Sequence, residues 1–147
     1  MDININLDMI LNNTYPIIFE FVVLIIISFI VYSFDKNKCD IEYSNIILYF
    51  HHFVNIFANF GWLSNNKYIL YTYLLSPIIV LIHWQTNNNK CILSQLHNRL
   101  CNQHEDKVFD DIFNIVQLKK YNWWNIWGHY LYLAIVMGIA IYKITKL

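Results

Sequence analysis

At 147 residues, 57% hydrophobic and only 14% charged, with ten basic side chains balancing ten acidic ones, the chain has the length of one domain but too little charge for an ordinary water-facing surface. That balance excludes a disordered chain, which needs low hydrophobicity and high net charge. It also excludes a nucleic-acid binder held by bulk electrostatics, which needs a basic excess, and three cysteines are too few for a small disulfide scaffold.

Residues 1–16 read as a polar N-terminal tail. They carry Asp2 and Asp8 but no Lys or Arg, and no small-residue cleavage site follows, so a cleaved signal peptide is a poor fit. Residues 17–147 read as a single membrane domain. The first span, 17–34, holds one charge, Glu20, and at helical rise reaches about 27 Å, close to the hydrocarbon thickness of a bilayer. Spans at 43–62, 68–84 and 124–144 follow. The second contains His51, His52, Asn55 and Asn59. The third has Pro77 at its middle, where the carbonyl that proline leaves free needs a neighbouring hydroxyl or helix. Trp62 and Trp84 end two spans, and Trp123, Trp124 and Trp127 begin the fourth, as expected of interfacial aromatic belts. Ala134 and Gly138 form a small-xxx-small step that lets another helix approach closely, in a homo-oligomer or with another membrane protein.

The fold class expected is therefore all-α: a four-span transmembrane bundle with short amphipathic helices in the linker 85–123. Within that linker, 91–101 gathers Ile92, Leu93, Leu96 and Leu100 on one side. The stretch 106–120 does the same with Val108, Phe109, Ile112, Phe113 and Val116, with Asp106 as its cap. Lys36, Lys38, Lys90, Arg99, Lys107, Lys119 and Lys120 fall on one side of the membrane, and Lys67, Lys143 and Lys146 on the other. Both linkers are therefore expected in the cytosol and both termini outside. Asn12-Asn13-Thr14 is a glycosylation acceptor pattern on the outer side, close to the bilayer. Cys39, Cys91 and Cys101 share the cytosolic side, where thiols are expected to stay reduced.

Ionisable groups inside spans are costly and so are functional candidates by default. At 100° per residue, His51, His52, Asn55 and Asn59 share an arc of about 100°, and Tyr68, Thr72, Ser76 and His83 an arc of about 80°. The fourth span groups Asn122, Asn125, His129 and Tyr132. These faces are expected to meet. His51 or His52 lies deep enough to approach His129, His83 is too shallow to join them, and no carboxylate is placed at their depth. The first reading is interhelical hydrogen bonding that fixes the packing, at about 0.6 kcal/mol per contact. The alternatives are a haem held between His52 and His129, and a proton or ion path along the stripes. A separate set, Cys91, His97, Cys101 and His104, has ligand chemistry suited to zinc. Three ligands on one helix at i, i+4 and i+7 converge poorly, however, and no acid is placed to orient a Cys–His nucleophile. No catalytic residue is assigned.

Two stretches carry a resemblance. The runs HFVNIFANFG at 52–61 and CILSQLHNRL at 91–100 resemble a family of small multi-pass bacterial membrane proteins of unknown function. The matching positions are His52, Phe57, Gly61, Trp84, Cys91, Leu93, Ser94, Leu96, Asn98 and Leu100. Ile92 and His97 depart from the family's proline and acidic residue, so no role for that acid transfers. The run from His83 to Cys91 is also similar to uncharacterised membrane proteins of large DNA viruses, which implies a viral or host membrane. The resemblance supplies architecture and no activity. The expected role is a structural or accessory membrane component without catalysis, needing no cofactor and having the lipid bilayer, not nucleic acid, as its partner.

Overall fold

The computed structural model describes residues 7–88, 90–104, 120–121, 123 and 127–147. Within them the chain is all-helical: α1 (Leu7–Phe34), α2 (Glu42–Phe60), a single 3₁₀ turn (Gly61–Leu63), α3 (Lys67–Thr86), α4 (Ile92–Leu100) and α5 (His129–Lys146). Three of these helices are long and apolar enough to cross a membrane, over Ile17–Phe34, Glu42–Leu63 and Lys67–Thr86. α5 matches them in length, but it opens on His129 and carries Lys143 and Lys146 in its last turn, and it is not among the three. The amphipathic helix expected at 106–120, the start of the fourth span at Trp124, and Asn122 and Asn125 lie outside the described residues. The helix expected at 91–101 is present as α4.

The backbone of α1 turns helical at Leu7, so helix replaces most of the tail expected at 1–16. α2 is the central element, packed on α1, α3 and α4, while α5 lies against α3. Its buried positions Ser44, Leu48, His52 and Ile56 recur every four residues, one stripe of a helix. The shared core beyond them is Leu70, Tyr73, Leu133, Val136 and Ala140. α1 has the reverse character: only 11% of Ile17–Phe34 is buried, and Ile18, Phe19, Ile26, Phe29 and Ile30 face outward. An apolar surface of that extent is far larger than a soluble monomer leaves bare and is what hydrocarbon solvates.

Local chemistry sets the ends. Asn66 caps α3, its Oδ1 accepting the Tyr68 and Ile69 N–H groups at 2.9 and 3.3 Å. α4 ends with Asn102 at φ 52°; the Gln103 N–H reaches the Asn98 carbonyl and the Asn102 N–H that of Arg99, the paired closure in which Asn tolerates the left-handed position. Pro77 stands inside α3 without breaking it. The carbonyl it leaves free, that of Tyr73, accepts the Ser76 hydroxyl at 2.9 Å, which is the rescue expected from the sequence. At the bundle end away from Asp35, the Glu20 carboxylate accepts the Ser64 hydroxyl, and Lys143 Nζ donates to the carbonyls of Trp62, Leu63 and Ser64. Glu20 and Lys143 thereby tie α1 and α5 to the same turn.

Candidate functional site

The polar residues divide into two groups, and α2 divides them. Its adjacent histidines point about 100° apart, so His51 and His52 face different partners. This corrects the single shared face expected for His51, His52, Asn55 and Asn59.

His52 is wholly buried, and its Nε2 lies 2.9 Å from Asp35 Oδ2 in an ion-pair geometry in which neither side chain is exposed. Asp35 immediately follows α1. Its Oδ1 accepts the Asn37 backbone N–H at 2.8 Å and the Asn37 amide at 2.7 Å. The expectation that no carboxylate shares the histidines' depth is overturned by this contact: Asp35, directly after α1, meets His52 nearly three turns into α2. Next to it His97, on α4, is also fully buried. Its Nδ1 lies 2.7 Å from the Ser44 hydroxyl and 2.9 Å from the Ser44 carbonyl, and its Nε2 lies 2.8 Å from the Asn37 carbonyl. Asn37 therefore joins the two pairs. Cys39 and Cys101 form a disulfide over this knot, their Cα atoms 5.9 Å apart, linking the α1–α2 loop to the end of α4. The expectation of reduced thiols holds for Cys91 and is overturned for Cys39 and Cys101.

Burial alone would raise the Asp35 carboxyl pKa, but the hydrogen bonds from His52 and Asn37 and the His52 charge outweigh it and hold it below its ordinary 3.8. A depressed carboxyl contributes stability that is complete above the unfolded value and is lost as pH falls through the folded one. The melting temperature of the detergent-solubilised protein is thus expected to fall as pH drops below about 4, through protonation of Asp35. Asp35→Asn should lower stability at neutral pH and flatten that acid limb; an unchanged acid limb would remove Asp35 from it.

The second group lines a cavity of about 60 Å³ between α2, α3, α4 and α5, bordered by His51, Asn55, Asn59, Trp84, Cys91 and His129. Cys91 Sγ stands 3.5 Å from His51 Nδ1, and the rings of Trp84 and His129 meet edge to face at 5.9 Å. Asn59 is buried and donates to the Asn55 carbonyl, while its own Oδ1 has no partner among the described residues. The space holds a few waters and not a macrocycle. His51 and His129 do come to one place, as expected. His52, proposed with His129 as a haem pair, is instead held by Asp35 outside this lining.

The other sequence candidates are accounted for individually. Tyr68 and Thr72 face outward, contrary to the inward stripe expected, and the Thr72 hydroxyl bonds the Tyr68 carbonyl of its own helix. His83 Nε2 accepts the Ile92 N–H at 3.1 Å and so caps α4 from the neighbouring helix. Among the four linker residues considered for zinc, Cys101 is disulfide-bonded, His97 faces Ser44, and Cys91 lines the cavity with His51. Among the described residues no three His, Cys, Asp or Glu side chains gather as a metal site, His104 included. Ala134 and Gly138 are exposed, and among the described residues nothing lies within 4 Å of a Cβ built on Gly138. Sequence reasoning missed Asp35, Asn37 and Ser44. Ser44 could have been found, since it lies on the His52 stripe two turns earlier; Asp35 and Asn37 depend on a loop path that periodicity does not encode.

No family model matches the chain, and neither does any curated protein or solved structure.

Proposed function

We propose that the chain is an integral membrane protein crossing the bilayer four times, with α5 as the fourth span, and that it serves as a structural or accessory component of a viral or host membrane. The observation that carries this reading is the way three of the histidines are used. His52 is bonded to Asp35, His97 to Ser44 and Asn37, and His83 to the start of α4, each joining one element to another at the loop end of the bundle. They fasten helices and do not form a line across the span. The two linkers that the sequence assigns to that side carry seven of the ten Lys and Arg residues, which favours its placement in the cytosol. The resemblance to small multi-pass membrane proteins points the same way, and Ala134 and Gly138 remain the natural surface for a second copy or another membrane protein.

A second reading, histidine-dependent redox or proton handling, draws on the cavity shared by His51, Cys91, His129 and Asn59, whose Oδ1 has no partner among the described residues. One reconstitution separates the two. Liposomes carrying the purified protein, expressed with haem supplied, are expected to show no Soret absorption and the proton leak of empty vesicles. A flux abolished by His51→Ala or His129→Ala, or a Soret band, would replace the first reading with the second.

A further inference from the structure

The Cys39–Cys101 bond differs from an ordinary stapling disulfide in what surrounds its sulfurs. Both cysteines are half-buried, so a reagent can reach them, yet the groups behind Cys101 are wholly buried. The Ser44 hydroxyl lies 3.0 Å from Cys101 Sγ and His97 Nε2 lies 3.5 Å from it. Ser44 has one hydroxyl proton, with the Cys101 sulfur at 3.0 Å and the His97 carbonyl at 3.3 Å as acceptors within reach, and its oxygen lies 2.7 Å from His97 Nδ1. A disulfide sulfur is a feeble acceptor and a thiolate a strong one, so breaking the bond would draw that proton towards Cys101. On the other side, Asn45 holds the Cys39 backbone by both its groups, accepting the N–H at 3.2 Å and donating to the carbonyl at 2.6 Å. The Cys39 sulfur is thus presented from a fixed loop.

We propose that this disulfide is a thiol–disulfide exchange site, at which Cys39 receives the incoming sulfur of a thiol substrate and Cys101 departs onto the Ser44 hydroxyl and the His97 imidazole. In the first step the substrate thiolate attacks Cys39 Sγ. A substrate–Cys39 bond forms, the Cys39–Cys101 bond breaks, and the electron pair goes to Cys101 as a thiolate that the Ser44 hydroxyl hydrogen-bonds until it takes up a proton equivalent to the one the substrate thiol lost. A second substrate thiol then attacks the substrate sulfur of the mixed disulfide and releases Cys39. Two thiols are oxidised to one disulfide, the Cys39–Cys101 pair takes up the two electrons, and the two protons lost by the substrates end on the Cys39 and Cys101 sulfurs. Exchange rates rise as the leaving thiol is better stabilised, which is the service the buried pair gives Cys101.

The test is made on the full-length protein in detergent, where sidedness plays no part. Reduction of Cys39–Cys101 is followed by mass shift after thiol alkylation, with glutathione as a small thiol in one arm and a reduced, unfolded carrier protein in the other. The native chain should react at least about tenfold faster than the same chain unfolded in denaturant with at least one of the two, and the faster arm identifies the substrate source. Ser44→Ala and His97→Gln, checked for native helicity and melting, should each slow the native rate severalfold, while Cys91→Ser should leave it unchanged. A native rate at or below the unfolded rate with both thiols would overturn the proposal without reference to any variant, and so would well-folded Ser44→Ala and His97→Gln proteins with unaltered rates.

Discussion

Asp35→Ala is expected to destabilise the detergent-solubilised protein by about 3–5 kcal/mol, the range for removing one member of a fully buried ion pair. The mechanism is specific. Without the carboxylate, His52 Nε2 faces no acceptor, and the Asn37 N–H and amide lose the oxygen they share while remaining buried. His52→Ala should cost less, because Asp35 retains its two bonds from Asn37. Asp35→Asn should be milder still, since an amide keeps the shape and an oxygen toward Asn37. Groups in one network are not additive, so the Asp35→Ala/His52→Ala double variant should fall well short of the two single losses summed. Thermal or denaturant unfolding followed by helicity reads all four proteins; additive losses would show that the pair is in contact without being coupled.

Gly61→Val should cost about 1–3 kcal/mol through overpacking. A Cβ at Gly61 would stand 2.8 Å from Tyr73 Cδ2 and 3.2 Å from Phe57 Cε2, and Tyr73 is fully buried among α3 and α5 with nowhere to retreat. The backbone is no obstacle, because Gly61 has φ −60° and ψ −21°, which any residue adopts. Gly138→Ala is the matched control. It meets open space among the described residues, so the monomer should tolerate it, and a loss seen only in a self-associated form would place a second copy on that face. Equal losses at both positions would show that the close approach of Gly61 to Tyr73 does not govern the first.

The spans were the most legible part of this chain, because apolar length against bilayer thickness is a one-dimensional property. Residues 17–34, 43–62 and 68–84 need no knowledge of partners to be found, and the repair of Pro77 by Ser76 follows from the adjacency of the two residues. Side-chain pairing was less legible for a physical reason. His51 and His52 differ by about 100° on α2, so a window wide enough to hold both treats as one face what the fold uses as two. The Asp35–His52 contact depends on how the loop after α1 turns back, and the Cys39–Cys101 bond joins residues 62 positions apart. Neither distance is carried by local pattern. Tyr68 and Thr72 illustrate the converse limit: their spacing matches an inward stripe, yet the Thr72 hydroxyl is satisfied by its own helix and can face outward.

Extraction of native membranes at alkaline pH, followed by ultracentrifugation, tests the central claim most directly, because it asks what solvates the outward-facing Ile and Phe of α1. An integral protein remains in the pellet until detergent is added, and that is the result expected here. Release of the intact chain into the aqueous fraction by alkali alone would contradict the account.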